Sequence, residues 1–490
     1  MSKKLLSFFV CALMCPASIN VIFAQEAIDI TGTYSIHVGG YDWGCATDKV
    51  TLTLNNPIDH VDENTFKVVE NSETFDYSKG PAGTIIKAEP TERTVKSVKV
   101  DGNTIELDLK VRADTGSPIV WSLATQYNTY VKDYSLEITS NDTQMTSNNQ
   151  VVNSLTIQKE YTSKTTSADV FDLDNYQAKD GVKYSYASYT PATKSDTLVV
   201  WLHGLGEGGK DANTIADRTT DPYVTTLANK VTSLTSDEFQ NTVGGANILV
   251  PQCPTYWMDK DGKQGNFNNA SIEADGTSYY QESLHELIAS YKEKVGAKKV
   301  VLAGCSNGGY MALLMGLAYP KEYDAIVPIC EALPDKYISD EKLQGVKDLP
   351  MYFIYSKDDE TVTPTLHEIP TIKRLKALGA TNLHVSTTEH VVDTSGIYKD
   401  ENYNGHWSWI YFFNNEAKCD ECGVKPFDWI AQQLKDTPTP VINNDKKAET
   451  TKTDTQTKAV KTGDNSNMNM YLGIMSFAAL GYVFLKRKTA

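Results

Sequence analysis

The stretch VVLAGCSNGGYMAL, Val300 to Leu313, decides the fold. Its first residues form a continuous apolar run, as in a strand buried on both faces. Gly304-Cys305-Ser306-Asn307-Gly308 follows and matches G-x-S-x-G, and GYMALLMGLAYP then reads as a helix. Between a strand and a helix, this pattern makes a nucleophile elbow, a tight turn that lifts the serine hydroxyl out of the sheet. Ser306 also stands at the start of the helix, where the dipole and free N–H groups favour negative charge. A lone serine is a weak nucleophile, so the stretch requires a base and a base-orienting acid elsewhere.

Working outward, DTLVVWLHG, NILVPQ, AIVPIC and MYFIYS are further apolar strands. Helical patterns such as SYYQESLHELIASYKEKVG lie between them. Buried strands alternating with helices predict an α/β fold, a doubly wound, mostly parallel sheet over residues 165–435. Upstream, over residues 26–162, short runs such as TGTYSIHV, KVTLTL and NTIELDLKV are separated by turns, which predicts an all-β sandwich. The join near residues 161–168 is rich in Thr and Ser. No catalytic constellation is visible in the β region, where His37 and His60 stand alone.

The partners of Ser306 are sought downstream, in the order Ser, acid, His. After MYFIYS comes Lys357-Asp358-Asp359-Glu360-Thr361-Val362, a loop that must face the same sheet edge as the elbow. Asp359 is the expected acid, with Asp358 the alternative. Among His367, His384, His390 and His406, the last is the expected base, with His390 the alternative. His406 lies in NGHWSWI, where Gly405 frees the loop and aromatic side chains exclude solvent. The oxyanion donors are expected to be the N–H groups of Asn307 and Leu205, the latter in the Gly-rich loop HGLGEGG. His203 is read as a support for that loop. Tyr256, Trp257 and Trp407 are the expected substrate-binding residues, with plain packing as the competing reading. The chemistry requires no metal and no organic cofactor.

The 490-residue chain carries a net charge of −16, which argues against a nucleic-acid surface. Residues 1–24 read as a signal peptide: Lys3 and Lys4, an apolar core, then Ala24 before Gln25. Residues 436–463 lack aromatics, are rich in Thr, Lys and Asp, and are expected to be a disordered stalk. Residues 464–490 hold the apolar run MYLGIMSFAALGYVFL followed by Lys486-Arg487-Lys488. Such a run spans roughly 24 Å as a helix, against a hydrocarbon core of roughly 30 Å. With AVKTGD just upstream it resembles a sortase-type sorting signal, cleaved between Thr462 and Gly463, although Ala459 and Val460 stand where Leu and Pro are usual. A simple membrane anchor is the alternative. Both place the protein outside the cell, in a Gram-positive-type envelope, with sortase and the cell wall as partners. Eight cysteines are present, two of them in the signal segment. The Cys419-Asp420-Glu421-Cys422 pair is a weak metal signal, since zinc takes four ligands, and a local disulfide or free thiols is the expected state.

Taken in order, HGLGEGG, PQCPTYWMD, GCSNGGYMALLMGLAYP, ICEA, YSKDDETV and NGHWSWIYFFN resemble the blocks of α/β-hydrolase-fold esterases of the prolyl-oligopeptidase-like group. That group includes secreted esterases with an immunoglobulin-like N-terminal domain, the form the resemblance implies for residues 26–162. Its triad falls on Ser306, Asp359 and His406, and a Val shortly after the acid, here Val362, supports Asp359. The implied activity is a serine carboxylesterase acting on small-molecule or polymer-linked esters through an acyl-enzyme. A peptidase of the prolyl-oligopeptidase type is the first rival, although residues 26–162 are too short for a gating β-propeller and show no repeat. A non-catalytic surface binding protein is the second.

Overall fold

In the first strand every second residue turns inward. Tyr34, Ile36 and Val38 are buried, while Ser35 and His37 between them are less so, the period-2 signature of a sheet with one covered face. The computed structural model describes residues 27–80, 83–122, 126–141, 145–209, 223–263, 274–394 and 402–435. The signal segment 1–24, the stalk 436–463 and the sorting segment 464–490 lie outside the described residues. Among the described residues no helix is long and apolar enough to cross a membrane.

The strand Ile28–Tyr41 pairs antiparallel with Gly44–Leu54 and parallel with both Gln150–Ile157 and Lys164–Thr166, within one seven-stranded sheet. A three-stranded sheet of Ser135–Ser140, Phe66–Asn71 and Thr91–Arg93 packs against it, with Ile30, Leu52 and Ile105 meeting Val68, Leu136 and Ile138 in one core. Arg93 clamps the sheets together. Its guanidinium meets Glu70 at 2.5 Å and donates to the carbonyls of Thr47 (2.8 Å) and Lys110 (3.1 Å). Tyr34 ties the same layers, accepting from the Leu136 N–H at 2.8 Å and donating to the Lys159 carbonyl at 2.9 Å.

An eight-stranded sheet follows. Its strands are β1 (Asp172–Gln177), β2 (Lys183–Tyr189), β3 (Thr197–Leu202), β4 (Asn247–Gln252), β5 (Lys299–Cys305), β6 (Ala325–Ile329), β7 (Met351–Ser356) and β8 (Leu383–Thr388). The spatial order is β1-β2-β4-β3-β5-β6-β7-β8, antiparallel over the first two pairings and parallel from β4 onward. Strands β3, β4, β6 and β7 are buried at every residue, which is why they read as unbroken apolar runs. The helix α1 (Asn307–Ala318) is buried along almost its whole length, so its sequence is apolar all round. Because β3 to β8 run parallel, the loops after β3, β5 and β7 open at one edge, where ligands of such sheets bind.

The two parts of the chain meet beside that edge. The Tyr127 ring stacks on Tyr256 at 5.0 Å and its hydroxyl donates to the Thr255 carbonyl at 3.2 Å. Asn128 donates to the Glu207 carboxylate at 3.0 Å. Asn414 also joins them, donating to Asp42 at 3.1 Å.

Candidate active site

Ser306 sits between β5 and α1 with φ 55° and ψ −120°, a conformation that costs a non-glycine residue of order 1–3 kcal/mol and persists only where its surroundings impose it. Here they do. The Ser306 N–H donates to the Ile329 carbonyl at 2.9 Å, and its carbonyl accepts from the Tyr310 N–H at 2.8 Å. A Cβ at Gly304 would lie 2.5 Å from the Gly308 carbonyl oxygen, and one at Gly308 would collide with the Leu202 carbonyl. Both glycines therefore permit the close crossing of strand and helix.

His406 arrives on a short 3-10 turn, Gly405–Trp407, whose N-terminus is capped by the Asn404 side chain accepting from the His406 N–H at 2.8 Å. Its Nε2 lies 2.8 Å from Ser306 Oγ and its Nδ1 lies 2.7 Å from Asp359 Oδ2. Asp359 uses its other oxygen to accept from the N–H groups of Thr361 and Val362, both at 2.8 Å. The carboxylate is thus fixed by two backbone donors and aims one oxygen at the ring. All three side chains are largely buried, so their interactions are poorly screened.

The alternatives weighed from sequence form a second pair. Asp358 accepts from Ser356 Oγ and meets His390 Nδ1 at 2.8 Å. That pair is far more exposed than Asp359 and His406. One loop of adjacent aspartates thereby serves two histidines.

Asn307 is the first residue of α1, where N–H groups have no acceptor within the helix. Its Oδ1 accepts from the Met258 N–H at 3.1 Å. Leu205 opens the 3-10 turn Leu205–Glu207 in the loop after β3. His203 braces this loop: its ring lies 2.6 Å from the Gly204 carbonyl through Nδ1, and Nε2 accepts from the Cys253 N–H at 2.9 Å. Burial pushes its pKa down to about 4, so the ring stays neutral. In the same loop, burial pushes the Glu207 carboxyl up to about 7, only partly offset by Asn128.

Tyr256 and Trp257 do not line the site, a correction to the sequence reading. They are 1% and 0% exposed. Tyr256 is covered by Tyr127, and Trp257 lies between Tyr184 and His203. Trp407 is half-buried and packs on Tyr403 and Trp409, and Trp409 in turn meets the His406 ring.

Sequence reasoning passed over two buried carboxyls behind the elbow, Glu331 and Glu368, both fully buried. Glu331 accepts from the Leu333 N–H at 2.7 Å and its Cβ lies against Gly309. Burial raises both pKa values, and for Glu368 the charge of Glu331 adds to the effect. The signal for Glu331 was its place in ICEA, directly after β6 at the sheet edge that carries Ser306.

Residues 187–397 match the phospholipase/carboxylesterase family model, a span of less than half the chain that includes Ser306 and Asp359 and ends before His406. No curated protein matches the chain. Among solved structures, a thermostable esterase is similar with a TM-score of 0.59 at 18% identity, covering 78% of this chain and 96% of that one. A ferulic acid esterase matches with a TM-score of 0.33 at 14% identity, covering 49% and 98%. An esterase from Butyrivibrio proteoclasticus matches with a TM-score of 0.29 at 13% identity, covering 44% and 87%. The first likeness spans more of the chain than the eight-stranded part alone and so extends into the β-sheets. Together with the strand order, the family match and this likeness establish an α/β-hydrolase fold.

Proposed function

We propose that the chain is a serine hydrolase that cleaves carboxylic esters, with Ser306 as nucleophile, His406 as general base and acid, and Asp359 as the group that orients it. The observation that carries this reading is the unbroken chain Ser306 Oγ–His406 Nε2 and His406 Nδ1–Asp359 Oδ2 at 2.8 and 2.7 Å, hung on a serine with positive φ. His406 takes the hydroxyl proton as Ser306 Oγ attacks the ester carbonyl. Asp359 holds the Nδ1–H tautomer and stabilises the imidazolium. The N–H groups of Asn307 and Leu205 receive the oxyanion, each such donor being worth roughly a hundredfold or more in rate. The imidazolium returns its proton to the departing alcohol. Water, deprotonated by His406, then attacks the acyl-enzyme and releases the acid. Trp407, beside the histidine, borders the substrate.

The choice of ester over amide rests on the phospholipase/carboxylesterase match. The β-sheets are read as an immunoglobulin-like domain, supported by two packed sheets and by parallel pairing of the first strand with Gln150–Ile157. Residues 26–162 and 165–435 are taken as the two domains. Secretion through 1–24, a stalk over 436–463 and a sortase or membrane anchor over 464–490 complete the reading and rest on the sequence.

The test compares the purified protein with Ser306→Ala on p-nitrophenyl acetate, a feruloyl ester and a proline-containing peptide anilide. Ester turnover lost in the variant is the expected result. Cleavage of the anilide alone would move the reading to a peptidase. Turnover unchanged by the substitution, or none from a folded protein, would remove Ser306 from its role.

A further inference from the structure

At the far edge of the eight-stranded sheet, away from Ser306, three metal-ligating side chains converge. His384 lies on the edge strand β8, and Cys419 and Cys422 follow 35 and 38 residues later. His384 Nδ1 is 3.4 Å from Cys419 Sγ and 3.5 Å from Cys422 Sγ, and the three ligand atoms all lie within 4.8 Å of one another. Tetrahedral zinc, with Zn–S near 2.3 Å and Zn–N near 2.0 Å, sets its nitrogen and sulfur ligands about 3.6 Å apart. Both measured N–S separations match that edge. Both cysteines are free thiols.

The surroundings build the site. The C-D-E-C segment turns back on itself, the Gly423 N–H donating to the Cys419 carbonyl at 2.7 Å and the Cys419 N–H to the Val424 carbonyl at 3.0 Å. Gly423 takes φ 72°, which a side chain would resist. The turn is stitched to β8: Asp420 N–H donates to the Val385 carbonyl at 2.8 Å, and the Asp420 carboxylate accepts from Thr387 N–H and Oγ1 at 3.0 and 2.9 Å. The His384 ring is held by Tyr352 at 5.8 Å and Trp429 at 5.7 Å, so its nitrogen is aimed before any ion arrives. Two cysteines fall short of a zinc set, which is why the sequence reading discounted them; His384 supplies a third ligand, and exposed Cys422 leaves the fourth position to water.

We propose that His384, Cys419 and Cys422 bind one Zn²⁺ ion, which clips the C-D-E-C turn onto the open edge of the sheet. Unpaired edge strands need such cover. Its role here is to hold the turn, so its presence is independent of what Ser306 does.

The test uses the full chain, reduced, stripped with a chelator and titrated with Zn²⁺ or with Co²⁺ as a spectroscopic probe. One equivalent of zinc is expected, with a melting temperature that climbs as zinc is added. Cobalt is expected to give the visible bands of a tetrahedral ion and a thiolate charge-transfer band, both displaced by zinc. Cys422→Ser, at an exposed position, should keep the near-UV circular dichroism of the fold, weaken binding at least tenfold and diminish the charge-transfer band. His384→Ala should do the same. The proposal is overturned if folded, reduced protein retains no ion, or if Cys422→Ser binds cobalt as tightly as the parent. It is equally overturned if the thiols exist only as a disulfide, seen as a mass about 2 Da below the reduced form that persists in reductant.

Discussion

Replacing Asp359 by Asn should cost about four orders of magnitude in kcat/KM, whereas Asp358→Asn should cost less than threefold. The reason lies in a count of donors. Asp359 Oδ1 accepts two backbone N–H groups and Oδ2 faces His406 Nδ1. An asparagine has one oxygen to offer. If it stays with Thr361 and Val362, the amide NH₂ faces Nδ1, which must then become an acceptor. The ring is driven to the Nε2–H tautomer and has no lone pair for the Ser306 proton. If the amide flips, its NH₂ meets two backbone donors and the loop is forced apart. Wrong-tautomer variants of this type in other serine hydrolases lose about 10⁴ in kcat, about 5 kcal/mol of transition-state stabilisation. Asp358 touches Ser356 and the exposed His390 instead. The assay is initial-rate kinetics on p-nitrophenyl acetate, with near-UV circular dichroism to show that both variants fold. A loss within tenfold for Asp359→Asn, or a larger loss for Asp358→Asn, would refute the reasoning.

Two further predictions concern stability. Glu207 has a folded pKa of about 7, above its ordinary 4.5, so the stability it contributes is whole below pH 4.5 and is lost as pH rises through 7, a fall of about 3 kcal/mol. Glu207→Gln, which can still accept from Asn128, should flatten that fall in urea unfolding between pH 5 and 8; parallel curves for parent and variant would contradict it. Glu70→Ala should destabilise the β-sheets by about 3–5 kcal/mol, because it leaves the Arg93 charge buried without its partner. An unchanged urea midpoint would show that the carbonyls of Thr47 and Lys110 suffice.

How much of this was legible from residues alone depends on range. The elbow was readable because strand, turn and helix are local, and every piece of Val300 to Leu313 carries its own periodicity. The fold class followed from the same kind of signal, since β3, β4, β6 and β7 are buried on both faces and keep no polar alternation. The proposed acid was harder, because Asp358 and Asp359 are neighbours with identical chemistry. Val362 distinguishes them physically: it is buried, and its N–H fixes Asp359. Pairing of the two leftover residues, Asp358 with His390, depends on how β7 and β8 lie side by side. Tyr256 and Trp257 misled because an aromatic pair after a strand has the same sequence in a pocket and in a core. The ring of Tyr127, more than a hundred residues upstream, covers Tyr256, and Tyr184 and His203 enclose Trp257. His384 likewise has no local mark of a ligand, since its cysteines reach it through the contact between Val385 and Asp420.

The meeting of Asn128 with Glu207 has a consequence for how the two parts of the chain can be separated. The loop that holds Leu205 is completed by side chains from a segment 79 residues away, so its hydrogen bonds are written in two places at once. Tyr127 covers the aromatic floor of that loop and Asn128 satisfies its one half-neutral carboxyl. A substitution at either position, although made in the β-sheets, therefore acts on the loop beside Ser306. The β-sheets are therefore not a freely exchangeable cargo: among the contacts that tie them to the eight-stranded part, one ring and one amide reach the loop of Leu205 itself.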